Sequence, residues 1–221
     1  MPLMINETPY NKPILNGTRL NAAHAGHHVW LQNHWTGTPN ASTSTLSQDG
    51  AVVATNLFPY PKPTSNIQIR EKWRVTESFT GDGMLLTQTS DVSTGNGAYV
   101  IIPLSGLTPG VTYHVEADMI PSASVKPPTL LDRRMLMVAG QWGMNLVSGD
   151  NTVSAGRRAC TFTAGGEPQY NLALFAGDGS GDTSMSVLWK NIIIVSDPDW
   201  QAMQARGVTW FDGDSYQRQG R

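Results

Sequence analysis

The sequence predicts an all-β protein: an antiparallel β-sandwich of the jelly-roll type with an extended N-terminal arm and a short C-terminal helix. Three observations lead to this fold class. The chain of 221 residues contains 22 glycines and 14 prolines, which fall between short runs of β-branched and aromatic residues, as is typical of antiparallel strands and their turns. Eight such runs occur between residues 67 and 196, a number that suits a jelly roll. Alternation of apolar and polar residues marks one face of the clearest run as core.

The eight runs are the predicted strands of the sandwich. In the run 111–120 the odd positions are apolar and the even positions up to 118 are polar, so one face packs in the core and the other meets solvent. Residues 192–195 are apolar without a break, which predicts a strand covered on both faces. The full set comprises residues 67–77, 84–90, 98–104, 111–120, 134–140, 158–164, 169–177 and 186–196.

Turns and one long connection separate these runs. The segments TGDG at 80–83, STGNG at 93–97 and TPG at 108–110 contain residues that tolerate a positive φ, or a proline placed for a turn. The stretch SASVKPPTLLD at 122–132 carries two adjacent prolines and therefore cannot be a central strand. It predicts a crossover between the two sheets or a loop at the rim.

The two ends of the chain do not fit the sandwich pattern. We therefore divide the chain into an N-terminal extended arm and connector at 1–50, a jelly-roll β-sandwich at 51–198 and a C-terminal exit segment at 199–221. The arm is polar, and its hydroxyl-rich part at 38–50 is not expected to form a core. We expect the arm to be disordered in a lone monomer and to lie along a neighbouring subunit in an oligomer.

A short helix is predicted where the sandwich meets the exit segment. Asp197 is a suitable N-cap, Pro198 suits the first helical position, and Gly207 is a stop signal. Trp200 and Met203 are three residues apart and share one face of this helix. The sequence GVTWFDGD at 207–214 then predicts a final strand.

Composition excludes several classes of protein. Asp, Glu, Lys and Arg make up 14% of the residues, against about 25% in an average soluble domain, so the surface is polar without being charged. The net charge of -2 and the scattered basic residues provide no surface for nucleic acid. Cys160 is the single cysteine, which excludes a disulfide framework and a cysteine zinc site. The sequence has neither a signal-peptide pattern nor a run of about 18 apolar residues, so neither a secretory leader nor membrane insertion is expected.

Two clusters of potential metal ligands occur, and neither predicts a metal site or another cofactor. His24 and His28 in the sequence HAGHH are four residues apart and could share a helical face, a spacing that suits a transition metal. Gly26 disfavours a helix, however, and no acidic residue lies close by in the sequence. Asp178 and Asp182 could supply part of a calcium site. They lack the glutamate of a calcium-binding loop, so a tight, turn-rich loop is expected there instead.

Trp142 is the candidate ligand-binding residue. Sugar rings stack their C–H faces on exposed aromatic side chains, while short polar groups bind their hydroxyls. Trp142 lies in the sequence AGQWGMN, in which Gly140 and Gly143 allow a ligand to approach closely. Two other tryptophans are expected in the core. Trp73 shares its parity with three apolar residues of the run 67–77, and Trp189 shares its parity with Val187 and Ile193.

No catalytic residues are predicted. A glycosidase needs two carboxylates about 5–10 Å apart in a cleft. Glu116 and Asp118 share one face of a strand, and Glu71 and Glu77 lie on another, but alternation alone places such residues on a solvated sheet face. The chain contains no GxSxG elbow, no phosphate-binding loop and no dinucleotide-binding glycines. We therefore expect a protein that is not an enzyme.

Three further stretches of the sequence point to a family. They are WTGTPNASTST at 35–45, TNLFPYP at 55–61 and DWQAMQARGVTWFDGD at 199–214. These stretches resemble the connector, the opening and the exit segment of minor tail proteins from phages that infect actinobacteria, which contain a jelly-roll module similar to carbohydrate-binding modules. Between them, LSGLTPGVTYHVEADM at 104–119 and VLWKNIIIVS at 187–196 are similar to core strands of that module.

The resemblance extends over residues 35–214, with two departures. Tyr60, Pro61 and Lys62 replace an asparagine-proline pair and an acidic residue of the family pattern, and Lys190 replaces an acidic residue in the last core strand. No calcium or sugar ligand is therefore transferred from the family to this chain.

The resemblance implies a structural subunit of a phage virion, a minor tail protein at the tail tip that contributes to attachment to host cell-wall glycan. The implied partners are other virion proteins of the tail, further copies of the chain in a homo-oligomer such as a trimer, and host surface polysaccharide. The implied location is the virion, after synthesis in the host cytoplasm without a signal peptide. Two alternatives stay open: a purely structural tail or head decoration protein that binds only other virion proteins, and a catalytic depolymerase or its accessory module.

Overall fold

The computed structural model describes residues 14–15, 18–19, 31–36, 43–48, 51–58, 60, 63–89, 97–130, 132–141, 145–180, 182–212 and 215–218. These residues form seventeen strands and one helix. In chain order they are β1 (Ile14–Leu15), β2 (Thr18–Arg19), β3 (Leu31–Thr36), β4 (Thr43–Gln48), β5 (Ala51–Asn56), β6 (Glu71–Trp73), β7 (Val75–Phe79), β8 (Met84–Gln88), β9 (Ala98–Pro103), β10 (Thr112–Pro121), β11 (Leu136–Ala139), β12 (Leu146–Asp150), β13 (Gly156–Thr163), β14 (Asn171–Gly177), β15 (Ser186–Ser196), α1 (Asp197–Gln204), β16 (Val208–Asp212) and β17 (Ser215–Arg218).

Two antiparallel five-stranded sheets form the sandwich. The front sheet has the order β13, β10, β15, β8, β7, and the back sheet has the order β12, β11, β14, β9, β6. From β8 to β15 the chain alternates between the two sheets, except at the β11–β12 hairpin, which is the strand arrangement of an eight-stranded jelly roll. The predicted all-β sandwich and its helix near the C-terminus are confirmed. Smaller sheets are formed by β3, β4 and β5, by β1 and β2, and by β16 and β17.

Strand β10 shows how sequence alternation builds the core. Tyr113, Val115 and Met119 are buried between the two sheets, whereas His114 and Glu116 lie on the outer face and are partly exposed. This division follows from the pleat, which turns successive side chains to opposite faces of a strand. The predicted alternation is therefore confirmed for this strand. The connection 122–132 leads from β10 in the front sheet to β11 in the back sheet, so it is the crossover that its two prolines predict.

The predicted strand 67–77 divides into two strands in different sheets. β6 belongs to the back sheet and β7 to the front sheet, and Arg74 between them has a φ of 55°. A left-handed residue at this position turns the chain from one sheet to the other. The expectation that Trp73 lies in the core is wrong, because its side chain is 41% exposed at the edge of the back sheet. Trp73 would share a face with Val75 only in one continuous strand, and Arg74 interrupts that strand.

Trp189 lies in the core as predicted. It is fully buried, and its indole Nε1 donates a hydrogen bond of 3.0 Å to the carbonyl oxygen of Phe175 in the facing sheet. Ile193, by contrast, does not share its face. A bulge at Asn191, whose φ is 53°, changes the register of β15 against β10. An extra residue in a strand reverses the facing of all residues beyond it, so Ile193 points to the outer face of the front sheet.

A second apolar cluster lies on that outer face. Ile193 and Val195 of β15 are fully buried there, because the C-terminal segment and the β4–β5 hairpin cover them. The prediction that residues 192–195 are covered on both faces is confirmed. The covering side chains are Leu46, Ala54, Met203, Val208, Trp210 and Phe211.

Leu46 corrects an expectation about the N-terminal arm. The hydroxyl-rich segment 38–50 was not expected to contribute to a core, yet Leu46 is fully buried and Ser44 and Thr45 are buried beside it. A single leucine among hydroxyl residues does not produce a periodic apolar pattern, so the sequence does not indicate that it is buried. The hairpin also spans residue 50, where the sequence places the boundary between arm and sandwich. That boundary stays a prediction, and residues 1–13 and 20–30 lie outside the described residues.

Helix α1 forms for the predicted reasons, with its cap one residue earlier. Ser196 is the N-cap, and its Oγ accepts a hydrogen bond of 3.3 Å from the backbone N–H of Asp199. Pro198 occupies the first turn, and Gly207 has a φ of 64° beyond the C-terminal end. Met203 is fully buried in the second apolar cluster. No helix among the described residues is long and apolar enough to span a membrane.

The side chain of Asn56 joins the N-terminal hairpin to β15. Its Oδ1 accepts hydrogen bonds from the backbone N–H groups of Phe58 (3.0 Å) and Ile194 (2.9 Å). Its Nδ2 donates to the carbonyl oxygen of Ile192 at 3.0 Å. The backbone N–H of Leu57 also donates to the carbonyl oxygen of Ile194 at 2.8 Å. Asn56 is fully buried, so water cannot replace these bonds.

We therefore predict that Asn56→Ala lowers the free energy of unfolding by about 3 kcal/mol, because two N–H groups and one carbonyl lose their partner in a buried place. Chemical denaturation measures this difference. Asn66→Ala is the matched control, since Asn66 is exposed in a turn and its replacement should change stability by less than about 0.5 kcal/mol. Equal stability of the two variants would show that the amide of Asn56 does not fasten the hairpin to β15.

Candidate binding site

Trp142 lies outside the described residues, but the residue before it is held by two hydrogen bonds. The backbone N–H of Gln141 donates to Oε2 of Glu167 at 3.1 Å, and its carbonyl oxygen accepts from Nη1 of Arg70 at 2.8 Å. Charged partners make these bonds stronger than ordinary backbone bonds. The start of the segment that carries Trp142 is therefore fixed between β6 and the loop that contains Glu167.

Glycine at position 140 leaves room for the carboxylate of Glu167 in this arrangement. A Cβ atom there would lie 2.6 to 2.8 Å from the carboxylate atoms of Glu167, closer than van der Waals contact allows. The carbonyl oxygen of Gly140 accepts a hydrogen bond of 2.8 Å from Nδ2 of Asn171, which is fully buried. Oδ1 of Asn171 has no hydrogen-bond partner among the described residues. Gly140, which the sequence marks as a place of close approach, thus admits a carboxylate of the chain itself.

A polar cleft of about 310 Å³ opens at the rim next to Glu167. Its walls are the turn after β9 and the loop between β13 and β14, including Ser105, Gly106, Glu167, Gln169 and Tyr170. The phenol oxygen of Tyr170 accepts hydrogen bonds from the backbone N–H groups of three consecutive residues, 165 to 167, at 3.0 to 3.3 Å. These bonds hold the loop in one conformation. The carboxylate of Glu167, the amide of Gln169 and the hydroxyl of Tyr170 give this wall its polar character, and each is also bonded within the chain.

On the outer face of the front sheet, Arg157 connects four strands. Its Nε donates to Oε2 of Glu116 at 3.0 Å, and its Nη1 donates to Oδ1 of Asp118 at 3.1 Å. Nη1 also donates to the carbonyl oxygen of Asn191 at 2.6 Å, and Nη2 donates to that of Thr209 at 3.0 Å. Arg157 on β13 is thereby bonded to β10, β15 and β16. We refer to Glu116, Asp118, Arg157, Asn191, Trp200 and Thr209 as the Arg157 network.

Helix α1 joins the Arg157 network through Trp200. The indole Nε1 of Trp200 donates to Oε1 of Glu116 at 2.7 Å, and its ring stacks on the imidazole of His114 with 4.3 Å between centroids and 5° between planes. Nε2 of His114 lies 2.7 Å from Oδ1 of Asp197 in the first turn of α1. These contacts fix the helix on the sheet. Sequence analysis expected Trp200 on the apolar face of the helix, and the polar role of its indole was missed.

The carboxylates of Glu116 and Asp118 adjoin a cleft of about 480 Å³, but each oxygen atom has a partner. Arg157 and Trp200 bind the two oxygens of Glu116. Arg157 and Nδ2 of Asn191 bind the two oxygens of Asp118, the latter at 2.6 Å. Carboxylates engaged in this way hold structural elements together. The two carboxylates of β10 therefore have a structural role, since they bind groups of β13, β15 and α1.

The other two acidic residues considered for catalysis lie in different sheets. Oε1 of Glu71 in β6 accepts a hydrogen bond of 3.1 Å from the phenol of Tyr99, and Oε1 of Glu77 in β7 lies 2.7 Å from Nζ of Lys72. Burial, together with the carboxylate of Glu71, raises the pKa of Tyr99 to about 12. The phenol therefore keeps the proton that it donates. The pair Lys72 and Glu77 spans the open edge between the two sheets.

The potential metal ligands do not form a cluster in the described part of the chain. Oδ1 of Asp178 accepts a hydrogen bond of 2.8 Å from the N–H of Ser180, and Oδ1 of Asp182 accepts one of 2.9 Å from the N–H of Ser184. Each carboxylate thus stabilises its own turn, as the tight-loop prediction requires. Among the described residues no three His, Cys, Asp or Glu side chains are placed to hold a metal ion. His24, His27 and His28 lie outside the described residues.

Cys160 is not a reactive group of this protein at neutral pH. Its side chain points between the sheets, and burial raises the pKa of the thiol to about 12. Because the thiolate is the nucleophilic form, the neutral thiol acts here as a small apolar core residue.

No family model matches the chain, and no curated protein matches it.

We predict that Arg157→Met lowers the free energy of unfolding by about 2 to 3 kcal/mol, because two partly buried carboxylates and two carbonyl groups lose their donor. Lys72→Met is the matched control. Lys72 is 49% exposed in its ion pair with Glu77, and such surface pairs contribute less than about 1 kcal/mol. Denaturant unfolding of both variants tests the prediction. Similar losses in both would mean that the Arg157 network is no stronger than a surface ion pair.

Proposed function

We propose that the chain is a structural subunit of a phage virion, a minor tail protein at the tail tip that contributes to attachment to host cell-wall glycan. The observation that carries this proposal is the polar rim cleft beside Glu167, whose carboxylate also holds Gln141, the residue before Trp142. Sugar recognition combines an aromatic side chain with polar groups, and we propose that Trp142, which lies outside the described residues, supplies the aromatic side chain. The resemblance to minor tail proteins supplies the biological setting.

The surface chemistry supports a polysaccharide as the ligand. With 14% charged residues, the chain has a polar surface that binds through hydroxyl, amide and backbone groups. The contacts made by these uncharged groups depend little on salt, because screening acts on charges. They also accommodate bridging water, which is common where hydroxyl-rich ligands bind.

A role in binding is better supported than a role in catalysis. Glycoside hydrolysis needs an acid and a second carboxylate that face the scissile bond. Glu116 and Asp118 are bound by Arg157, and Glu167 is bonded to the N–H of Gln141. Side chains that hold their own chain in place support a module that binds glycan and does not cleave it.

The alternative function is a purely structural tail or head decoration protein that binds only other virion proteins. The β4–β5 hairpin favours it to this extent: Leu46 and Ala54 pack on the front sheet, so this segment makes contacts with protein. In both functions the preceding residues contact neighbouring subunits, so glycan binding is the property that separates the two.

We predict that Trp142→Ala reduces binding to insoluble actinobacterial cell wall about tenfold, which corresponds to about 1.4 kcal/mol of lost stacking. Co-sedimentation with purified wall measures the bound fraction against protein concentration. Ile120→Ala is the control, because Ile120 is 45% exposed on β10 of the front sheet. Equal retention of wild type and Trp142→Ala would remove Trp142 from the site, and no retention of the wild type would favour the purely structural function.

We further predict that the full chain forms a homo-oligomer, with a trimer as the expected state, because the arm binds neighbouring subunits. Light scattering coupled to size-exclusion chromatography gives the mass of the species in solution. A variant that lacks residues 1–30 should be monomeric and keep the unfolding midpoint of the sandwich. A full chain that elutes as a compact monomer at high concentration would contradict the role proposed for the arm.

A further inference from the structure

Trp73 exposes its indole at the edge of the back sheet. The side chain is 41% exposed, and β6 is the last strand of that sheet. Among the described residues, the other large hydrophobic side chains with comparable exposure are aliphatic: Val52, Ile120, Leu130 and Val147. Leaving an indole in water forfeits a considerable hydrophobic free energy. Trp73 is thus an exposed aromatic group of the described chain, and the face of an indole in water can stack on a sugar ring.

Arg74 fixes the orientation of this indole. Its guanidinium carbon lies 5.5 Å from the centroid of the Trp73 ring, within the range of a cation–π contact. The backbone of Arg74 has a φ of 55°, and the left-handed region is unfavourable for a residue with a Cβ atom. Glycine would avoid this unfavourable conformation, yet arginine is present. This backbone conformation turns the chain from the back sheet to the front sheet, and it places the guanidinium of Arg74 over the indole.

The surroundings of Trp73 suit a sugar better than a protein. Its neighbours in sequence are Arg70, Glu71, Lys72, Arg74 and Glu77. A stable protein interface buries about 800 Å² on each partner around an apolar centre. One indole among charged groups offers no such centre. It offers a flat face for the C–H groups of a pyranose and hydrogen-bonding groups for its substituents.

The segment that contains Trp73 begins beside the rim cleft. Nη1 of Arg70 donates to the carbonyl oxygen of Gln141, which precedes Trp142. Strand β6 rises about 3.3 Å per residue, so Trp73 lies about 10 Å along the edge of the back sheet from Arg70. The cleft and Trp73 are thus spaced along one edge, where several units of one polysaccharide chain could bind.

We propose that Trp73 is a second carbohydrate contact: a sugar ring stacks on its indole, and the guanidinium of Arg74 binds an acidic substituent of the same polysaccharide. This inference rests on the proposed function in glycan attachment, and it adds the ligand class, an acidic polysaccharide, and a direction along β6. The exposed face of Trp73 and the charge of Arg74 are the two features that select such a ligand.

Two variants test the inference with the insoluble actinobacterial cell wall as the probe. Trp73→Ala should bind the wall about tenfold more weakly than the wild type. Arg74→Gly relieves the left-handed backbone, so it should keep or raise the melting temperature, and it should bind about two- to fivefold more weakly. Raising the NaCl concentration should weaken the wild type more than Arg74→Gly, because the glycine variant lacks the charge that salt screens.

The outcomes separate this inference from the proposed function. If the wild type binds the wall, Trp142→Ala is weakened and Trp73→Ala is not, then the inference is wrong and the proposed function stands. If the wild type does not bind, both are wrong. If Trp73→Ala keeps wall binding but loses the oligomer in light scattering, Trp73 belongs to a subunit interface and the inference is again wrong. Ile120→Ala controls for the loss of an exposed apolar side chain.

Discussion

Burial of both faces of β15 is the constraint on which the rest of this structure depends. Ile192 and Ile194 face the interior of the sandwich, while Ile193 and Val195 face outward and are equally buried. A two-layer sandwich would leave the second pair in water, where each aliphatic side chain would lose about 1.5 to 3 kcal/mol of burial free energy. A third layer is therefore required. The β4–β5 hairpin and the segment from α1 to β16 supply it, so segments that precede and follow the sandwich meet on one face of the molecule.

Polar interactions determine where this third layer sits. Apolar contacts are not directional, and a cluster of aliphatic side chains alone would allow the helix several positions. The Arg157 network removes this freedom, since its donors reach β10, β15 and β16 in fixed directions. Asn56 does the same for the hairpin through three hydrogen bonds. Charge is scarce in this chain, and at the Arg157 network it is concentrated where elements must be joined.

The sequence predicted the sandwich because its strands alternate or stay apolar over lengths that helices do not use. The prediction of which side chains face the core failed where a single residue interrupts the alternation. Arg74 and Asn191 both adopt a positive φ. Because neither is glycine, the sequence does not indicate this conformation. At each of these residues the alternation of odd and even positions between the two faces is interrupted. Trp73 and Ile193 were therefore assigned to the wrong face. Leu46 was missed for another reason. The burial of a single apolar residue cannot be predicted without knowing its contacts, which here are distant in the sequence.

The candidate site was predicted less well, for a related physical reason. Trp142 could be named from its glycine neighbours, but the groups that hold the preceding residue, Gln141, come from Arg70 and Glu167, far apart in the sequence. Glycine at position 140 leaves room for the carboxylate of Glu167. No local pattern encodes that contact. A carboxylate and an arginine in a chain with little charge are nevertheless a usable signal, since each must find a partner or a ligand when the strands close.

The position of the third layer also bears on how one module can both assemble and bind. The hairpin, helix and β16 cover the outer face of the front sheet, whereas the rim cleft and Trp73 belong to the loops and the edge of the back sheet. Contacts made through the third layer would therefore not compete for the surface on which a polysaccharide is proposed to lie. Several weak sites on one particle bind a polymeric ligand far more tightly than one site does, provided that their spacing allows simultaneous contact. Modest affinity at Trp142 and Trp73 would then be sufficient, because the assembly multiplies it.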